Sequence, residues 1–169
     1  MQKKWNARMI AYLGILLAVE VVLSRFLSIN AWNMKFGFSF VPIVVAAMMF
    51  GPVPAAVLYG LADVIGATLF PSGAFFPGFT FSAVLTGFVF GILIHKKQTW
   101  QRILLAVVIH QFVISLFLNS YWLSMLYGTP YQGLLEARIV QSLITAPIQF
   151  VIMFLLAKSF PNWGKGLHI

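Results

Sequence analysis

The 169-residue sequence contains no cysteine, only three acidic residues, and three histidines set far apart at positions 95, 110 and 168. Without cysteine there is neither a disulfide framework nor a thiolate metal site. The histidines form no HExxH pattern, and no second acid lies three or four positions from Asp63, so the sequence offers no metal-ligand or paired-carboxylate signature. The phosphate-binding pattern GxxxxGK[ST] is absent, as is any soluble nucleotide-binding domain, so uphill transport would draw its energy from another chain. No cleavable signal peptide is expected, because the first apolar stretch outruns a signal core and lacks a small-residue cleavage site. No repeat points to an inverted-repeat transporter. Charge is scarce throughout: 8% of residues are charged against 61% hydrophobic, and the mean hydropathy is +0.94. A soluble domain is excluded, since such a composition covers the exterior as well as the core and requires lipid as its solvent.

What is present is a series of apolar segments. A spanning helix needs roughly 20 apolar residues. Division at Gly, Pro and charged clusters gives six candidates, approximately 7 to 28, 36 to 50, 53 to 69, 79 to 95, 102 to 126 and 134 to 158. The second is short and contains Pro42, and the third follows Gly51-Pro52-Val53-Pro54; such short spans are covered by neighbours or by local thinning of the bilayer. The expected fold is an all-α integral membrane protein, a single domain over 1 to 169 with six transmembrane helices.

The net charge of +8 raises nucleic acid as a partner, but the placement of the bases argues for topology instead. Lys3, Lys4 and Arg8 precede the first span, Lys96, Lys97 and Arg102 separate the fourth and fifth, and Lys158 and Lys165 follow the sixth. All fall on one side. By the positive-inside rule both termini are expected to be cytoplasmic, with the segment from Phe70 to Gly78 facing outward.

That segment, Phe70-Pro71-Ser72-Gly73-Ala74-Phe75-Phe76-Pro77-Gly78-Phe79-Thr80, is a poor helix and a good binding loop. Prolines fix φ and remove donors while glycines permit positive φ, so an irregular but stiff backbone presents aromatic faces. Glu20, Asp63 and Glu136 are the acids, and a charge at mid-span costs on the order of 2.5 to 3.5 kcal/mol. In the expected orientation Glu20, Arg25, Asp63, Asn119, Trp122, Glu136 and Arg138 converge in depth beneath the loop, as an outward-facing small-molecule pocket requires. The alternative is a set of structural ion pairs, such as Glu20 with Arg138. Asp63 shares a face with Ala56, Gly60 and Ala67, so it points into the bundle, where its carboxylate accepts two hydrogen bonds from an aminopyrimidine-like edge or serves as a structural acid. Arg25 and Arg138 suit carboxylate recognition or stacking on a ring; either could instead neutralise Glu20 or Glu136. Glu20 and Arg25 lie about 140° apart around a helix and do not pair directly. Asn119 is a ligand-contact candidate, Tyr121 and Tyr127 fit an interfacial aromatic belt, His95 fits a cytoplasmic surface role, and His110 fits a buried, hydrogen-bonded position.

On the first span Ala7, Ala11, Gly14 and Ala18 form a smooth stripe that admits another helix, from within the bundle or from a partner. Ala83, Gly87 and Gly91 form a second such row, so the pattern alone is not specific.

These residues carry a resemblance over nearly the whole chain. The segment Phe70 to Thr80, the preceding Gly60-Leu61-Ala62-Asp63, Leu23-Ser24-Arg25-Phe26, Lys35-Phe36-Gly37-Phe38, Gly51-Pro52 and the stretch from Asn119 to Gly128 together resemble the folate-specific substrate-binding S component of energy-coupling factor transporters. The resemblance implies a non-enzymatic subunit of a bacterial cell membrane that binds folate from outside. It then docks on a transmembrane coupling subunit and topples to carry the vitamin inward, with two partner ATPases hydrolysing the ATP and no cofactor in this chain. Docking through an AxxxA motif maps to Ala7 and Ala11, extended by Gly14 and Ala18. Folate has a flat pterin, a benzoyl ring and a carboxylated tail. Phe75, Phe76 and Trp122 are expected to sandwich the rings, with Phe70 in the same aromatic loop. Asp63 or Asn119 reads the pterin edge, Arg25, Lys35 or Arg138 attracts the carboxylates, and Ser72, Gly73 and Thr80 add hydrogen bonds. An arginine stacked on the pterin would reverse part of that assignment. An S component for another vitamin, or a small membrane-embedded hydrolase, are the alternatives.

Overall fold

A computed structural model describes residues 6–31, 34–71 and 73–159, with side chains for all of these but 29–36. Six helices follow in order: α1 Ala7–Arg25, α2 Phe40–Phe50, α3 Pro52–Leu69, α4 Pro77–Ile94, α5 Trp100–Tyr127 and α6 Tyr131–Ser159. Five are long and apolar enough to cross a membrane, and α2, of 11 residues, is the short one. The six-helix, all-α bundle read from the hydropathy pattern is borne out.

Its boundaries follow from local chemistry. α1 ends at Arg25, where the N–H groups of Phe26 and Leu27 both reach the carbonyl of Val22 and the Ser28 hydroxyl donates to the Ser24 carbonyl at 2.6 Å. Beyond it the alternating stretch forms an antiparallel hairpin, β1 Ile29–Ala31 with β2 Met34–Phe36, in which Asn30 faces Lys35. The segmentation of the sequence left 29 to 35 between its first two spans without a strand assignment, and it overran the helices by a few residues: α1 ends at Arg25 instead of 28, and α2 begins at Phe40 instead of 36. Gly51 separates α2 from α3 at φ 91°, a left-handed conformation that glycine reaches without strain, and Pro52 begins α3 where its missing N–H is no loss. Pro77 begins α4 in the same way. Phe79 and Thr80 therefore belong to the first turn of α4 rather than to a loop.

Between Ile109 and Leu118, α5 is wound as a π-helix. Its carbonyls pair five residues on, as the Asn119 N–H donating to the Ile114 carbonyl shows, and the Ser142 hydroxyl of α6 lies 3.5 Å from the Gln111 carbonyl. α5 stops at Gly128, φ 65°, whose N–H donates to the Ser124 carbonyl, and a three-residue link turns the chain into α6.

The apolar core fills one end of the bundle. Ile43 and Val44 of α2, Leu58 of α3, Phe90 and Ile94 of α4, Ile103 and Val107 of α5 and Met153 of α6 are essentially without exposure there. α3 and α4 make the closest pair. A Cβ at Gly87 would sit 2.5 Å from the Ala55 carbonyl oxygen, and one at Gly91 would overlap the backbone of Pro52. The small row of α4 is thus an internal seam, which lets two backbones approach and gain dispersion contacts. The stripe of α1 is different. Ala7, Ala11, Gly14 and Ala18 are all exposed, nothing lies within 4 Å of a Cβ at Gly14, and among the described residues α1 packs only on α2 and α3. His95, expected at the surface, is half-buried: its Nδ1 lies 3.1 Å from the Met48 carbonyl and its ring lies against Gly51, closing the end of α2.

Candidate functional site

At the end of the bundle opposite the core, α1, α3, α4, α5 and α6 and the loop before α4 enclose a cavity of about 610 Å³. That volume suits a small organic ligand. Arg25, Asp63, Gly73, Phe75, Phe76, Asn119 and Arg138, all expected from the sequence, line it together.

On the α3 wall, Oδ2 of Asp63 accepts a 2.7 Å hydrogen bond from the Thr80 hydroxyl, so Thr80 acts on the cavity through Asp63. Arg25 arrives from the end of α1 and lies over Gly66, where an added Cβ would be 2.6 Å from Nε. Only glycine leaves that space. Tyr59, one turn before Asp63 on the same face, also lines the cavity and is within electrostatic reach of Glu20, Asp63 and Arg25. Glu20 is buried behind this wall and Glu136 is exposed, so neither forms part of the cavity surface.

The aromatic side is built as a clamp. Phe76 tilts against Trp122 with ring centroids 5.7 Å apart and meets Phe79 edge-on at 6.2 Å. Gly78 makes room for this: a Cβ there would fall 2.5 Å from the indole. Trp122 donates from Nε1 to the Ser82 hydroxyl at 3.1 Å. Its ring backs Phe76 instead of facing the cavity, which corrects its expected place in the ring sandwich. Phe70 also lies off the cavity, edge-on to Phe26 at 5.3 Å. Ser72 and the side chain of Lys35 lie outside the described residues, although the backbone of β2 packs against α6.

The floor is polar. His110 lines it with Nδ1 3.1 Å from Oε1 of Gln149, which also accepts a 2.6 Å hydrogen bond from Gln111 Nε2. His110 is thus hydrogen-bonded, as expected, and also exposed to the cavity, which was not. The remaining wall belongs to α5, α6 and their link. There Asn119 Oδ1, Thr129 Oγ1 and Arg138 Nε are buried without a hydrogen-bond partner among the described residues. Arg138 makes no ion pair among those residues, so the Glu20 to Arg138 pairing considered above does not form. Buried polar groups are ordinarily satisfied, and groups left open on a cavity wall are the pattern expected where a ligand supplies the partners.

Sequence reasoning missed Tyr59, Phe79, Thr86 and Thr129. The first three were within reach of it: Tyr59 precedes Asp63 by one turn, and Phe79, Ser82 and Thr86 share a face of α4. Among the described residues no group of three or more His, Cys, Asp or Glu is placed to hold a metal ion. The chemistry available is non-covalent: a carboxylate, guanidinium groups, amides and aromatic faces around a ligand-sized space.

Known proteins share this architecture. The folate transporter FolT of Clostridium novyi (strain NT) is 37% identical over 144 residues, covering 85% of this chain and 84% of that protein. The folate transporter FolT of Leuconostoc mesenteroides subsp. mesenteroides is 33% identical over 163 residues, 92% of this chain and 88% of its own length. A crystal structure of FolT bound with folic acid matches with a TM-score of 0.87 at 37% identity, over 92% of this chain and 95% of that one. The S-component for biotin from an ECF-type ABC transporter shares the fold, with a TM-score of 0.66 at 19% identity over 94% of this chain and 95% of its own. A family model, ECF transporter, substrate-specific component, matches residues 8–157. This multi-pass membrane protein therefore belongs to the substrate-specific components of ECF transporters.

Proposed function

We propose that the chain captures folate in the cavity between Asp63 and Arg138 and hands it to the rest of an ECF complex. Membership of the family makes it a transport subunit and not an enzyme. The observation that carries the ligand is the cavity itself, sized for a small organic molecule, in a fold that matches a FolT crystallised with folic acid. In this reading Phe75 and Phe76 cover the flat rings, Asp63 or Asn119 takes hydrogen bonds from the pterin edge, and Arg25, Lys35 or Arg138 attracts the tail carboxylates. Trp122 and Thr80 support Phe76 and Asp63, while Ser72, Gly73 and Lys35 are the further polar contacts this reading assigns to the ligand.

The basic clusters orient the chain as one domain with both termini cytoplasmic and the cavity outward, in a bacterial plasma membrane. The exposed stripe of α1, centred on Ala7, Ala11, Gly14 and Ala18, then receives the transmembrane coupling subunit. Two ATPase subunits drive the cycle, and toppling of this chain turns the cavity inward.

The test is titration of the purified chain with folic acid, thiamine, riboflavin and biotin. Selective saturable binding of folic acid is expected; equal binding of all four, or none, would sink the reading.

A further inference from the structure

We infer that Arg138 supplies the counter-charge for an anionic group of the ligand, so that the cavity is electrically polarised and takes its occupant in one orientation. This rests on the folate reading above. Among the described residues the charges on the cavity surface are divided between two walls, a balanced pair on one and a lone cation on the other. Arg25 and Asp63 belong together, since α1 packs on α3 and Arg25 lies against Gly66, three residues from Asp63. Arg138 stands on α6, which has no packing contact with α1 or α3. It is 8% exposed, it lines the cavity, and its Nε has no partner among the described residues. A guanidinium keeps its proton, and inside a lipid-embedded bundle one without a counter-charge is costly.

The acids do not meet that need. Asp63 is across the cavity and Glu136 is exposed two positions away on α6, where side chains point to different faces. Glu20 is off the cavity surface and within reach of Tyr59, on the α3 side. Asn119 completes the wall. The short link between α5 and α6 keeps their ends level, and Asn119 and Arg138 each lie roughly 10 Å in from those ends by helical rise. A guanidinium fork fits a carboxylate, whereas the open Oδ1 of Asn119 takes a donor and Asp63 opposite fits a donor edge. The glutamyl carboxylates of folate therefore lie on the α6 wall and its pterin donors on the α3 wall, which makes Arg138 the residue that selects for the charged tail.

The purified full-length chain is titrated with folic acid and with its diamide, in which both glutamyl carboxylates are carboxamides. On the wild type the diamide is expected to bind about ten- to a hundredfold more weakly. In Arg138→Gln folic acid loses about that factor and the two ligands converge to within about threefold, whereas Arg25→Gln weakens both and keeps their ratio. Equal binding of the two ligands by the wild type overturns the inference whatever the variants do, as does an Arg138→Gln protein that retains the wild-type ratio. Failure of folic acid itself to bind the wild type overturns the folate reading and this inference with it.

Discussion

The Thr80 hydroxyl, on the first turn of α4, donates to Oδ2 of Asp63 on α3 across 2.7 Å. This bond fixes the orientation of the acid that lines the cavity, and it spans the closest helix pair in the bundle. Thr80→Val keeps the shape and removes the donor. Folic acid affinity is expected to fall about five- to tenfold, roughly 1 kcal/mol, with little change in the thermal midpoint, and Thr80→Ser is expected to restore it. Calorimetric titration beside a detergent melting curve checks both parts.

Gly66 sets the position of Arg25. Gly66→Ala places a Cβ 2.6 Å from Nε, and because the obstacle is the end of a flexible side chain, the guanidinium moves and the helix does not. The expected result is a folded protein whose folic acid affinity is about tenfold lower. Normal binding would show that Arg25 needs no fixed place.

Gly91 provides the contrast. Its missing Cβ would meet backbone atoms of Pro52, which cannot rotate away. Gly91→Ala is expected to cost about 3 kcal/mol through overpacking and to lower the melting temperature, whereas Gly14→Ala, with open space around it, leaves the isolated chain unchanged. Parallel melting curves decide this.

Ala11 lies on the exposed stripe of α1. Ala11→Trp is expected to leave folic acid binding by the isolated chain intact and to abolish uptake in vesicles that contain the whole reconstituted complex. Loss of binding in the isolated chain would assign Ala11 to internal packing.

Gln149 accepts from Gln111 and lies within hydrogen-bond distance of His110, at 1% exposure. Gln149→Leu strips both of their partner and is expected to cost about 1 to 3 kcal/mol, read as a lower thermal midpoint with folic acid absent. An unchanged midpoint would mean that the floor rearranges freely.

The helices and much of the cavity were legible because the bilayer imposes one strong rule. Apolar runs interrupted by glycine, proline and lysine gave all six helices, and the expense of charge in lipid pointed to Arg25, Asp63 and Arg138, which do share the cavity. Finer features depended on tertiary geometry. The hairpin after Ser28 is only three residues per strand, below the length at which alternation stands out. The π-helix of α5 has no composition of its own. Trp122 and Phe70 have the chemistry of ligand-stacking residues, but Gly78 and Phe26 give them other neighbours, and no count along the chain reveals that. The two small rows, on α1 and on α4, look alike as text; which of them meets a neighbour was settled only by packing.

α1 has a consequence of its own. One rod of 19 residues carries the outward stripe along its length and ends in the arginine that lies over Gly66 at the cavity. Whatever free energy a protein seated on the stripe takes from ligand affinity, the ligand must take equally from that protein's affinity, because binding equilibria on one molecule are reciprocal. If the proposed partner seats there, loading the cavity and releasing that partner are two readings of a single coupling constant, measurable from either end of the same helix.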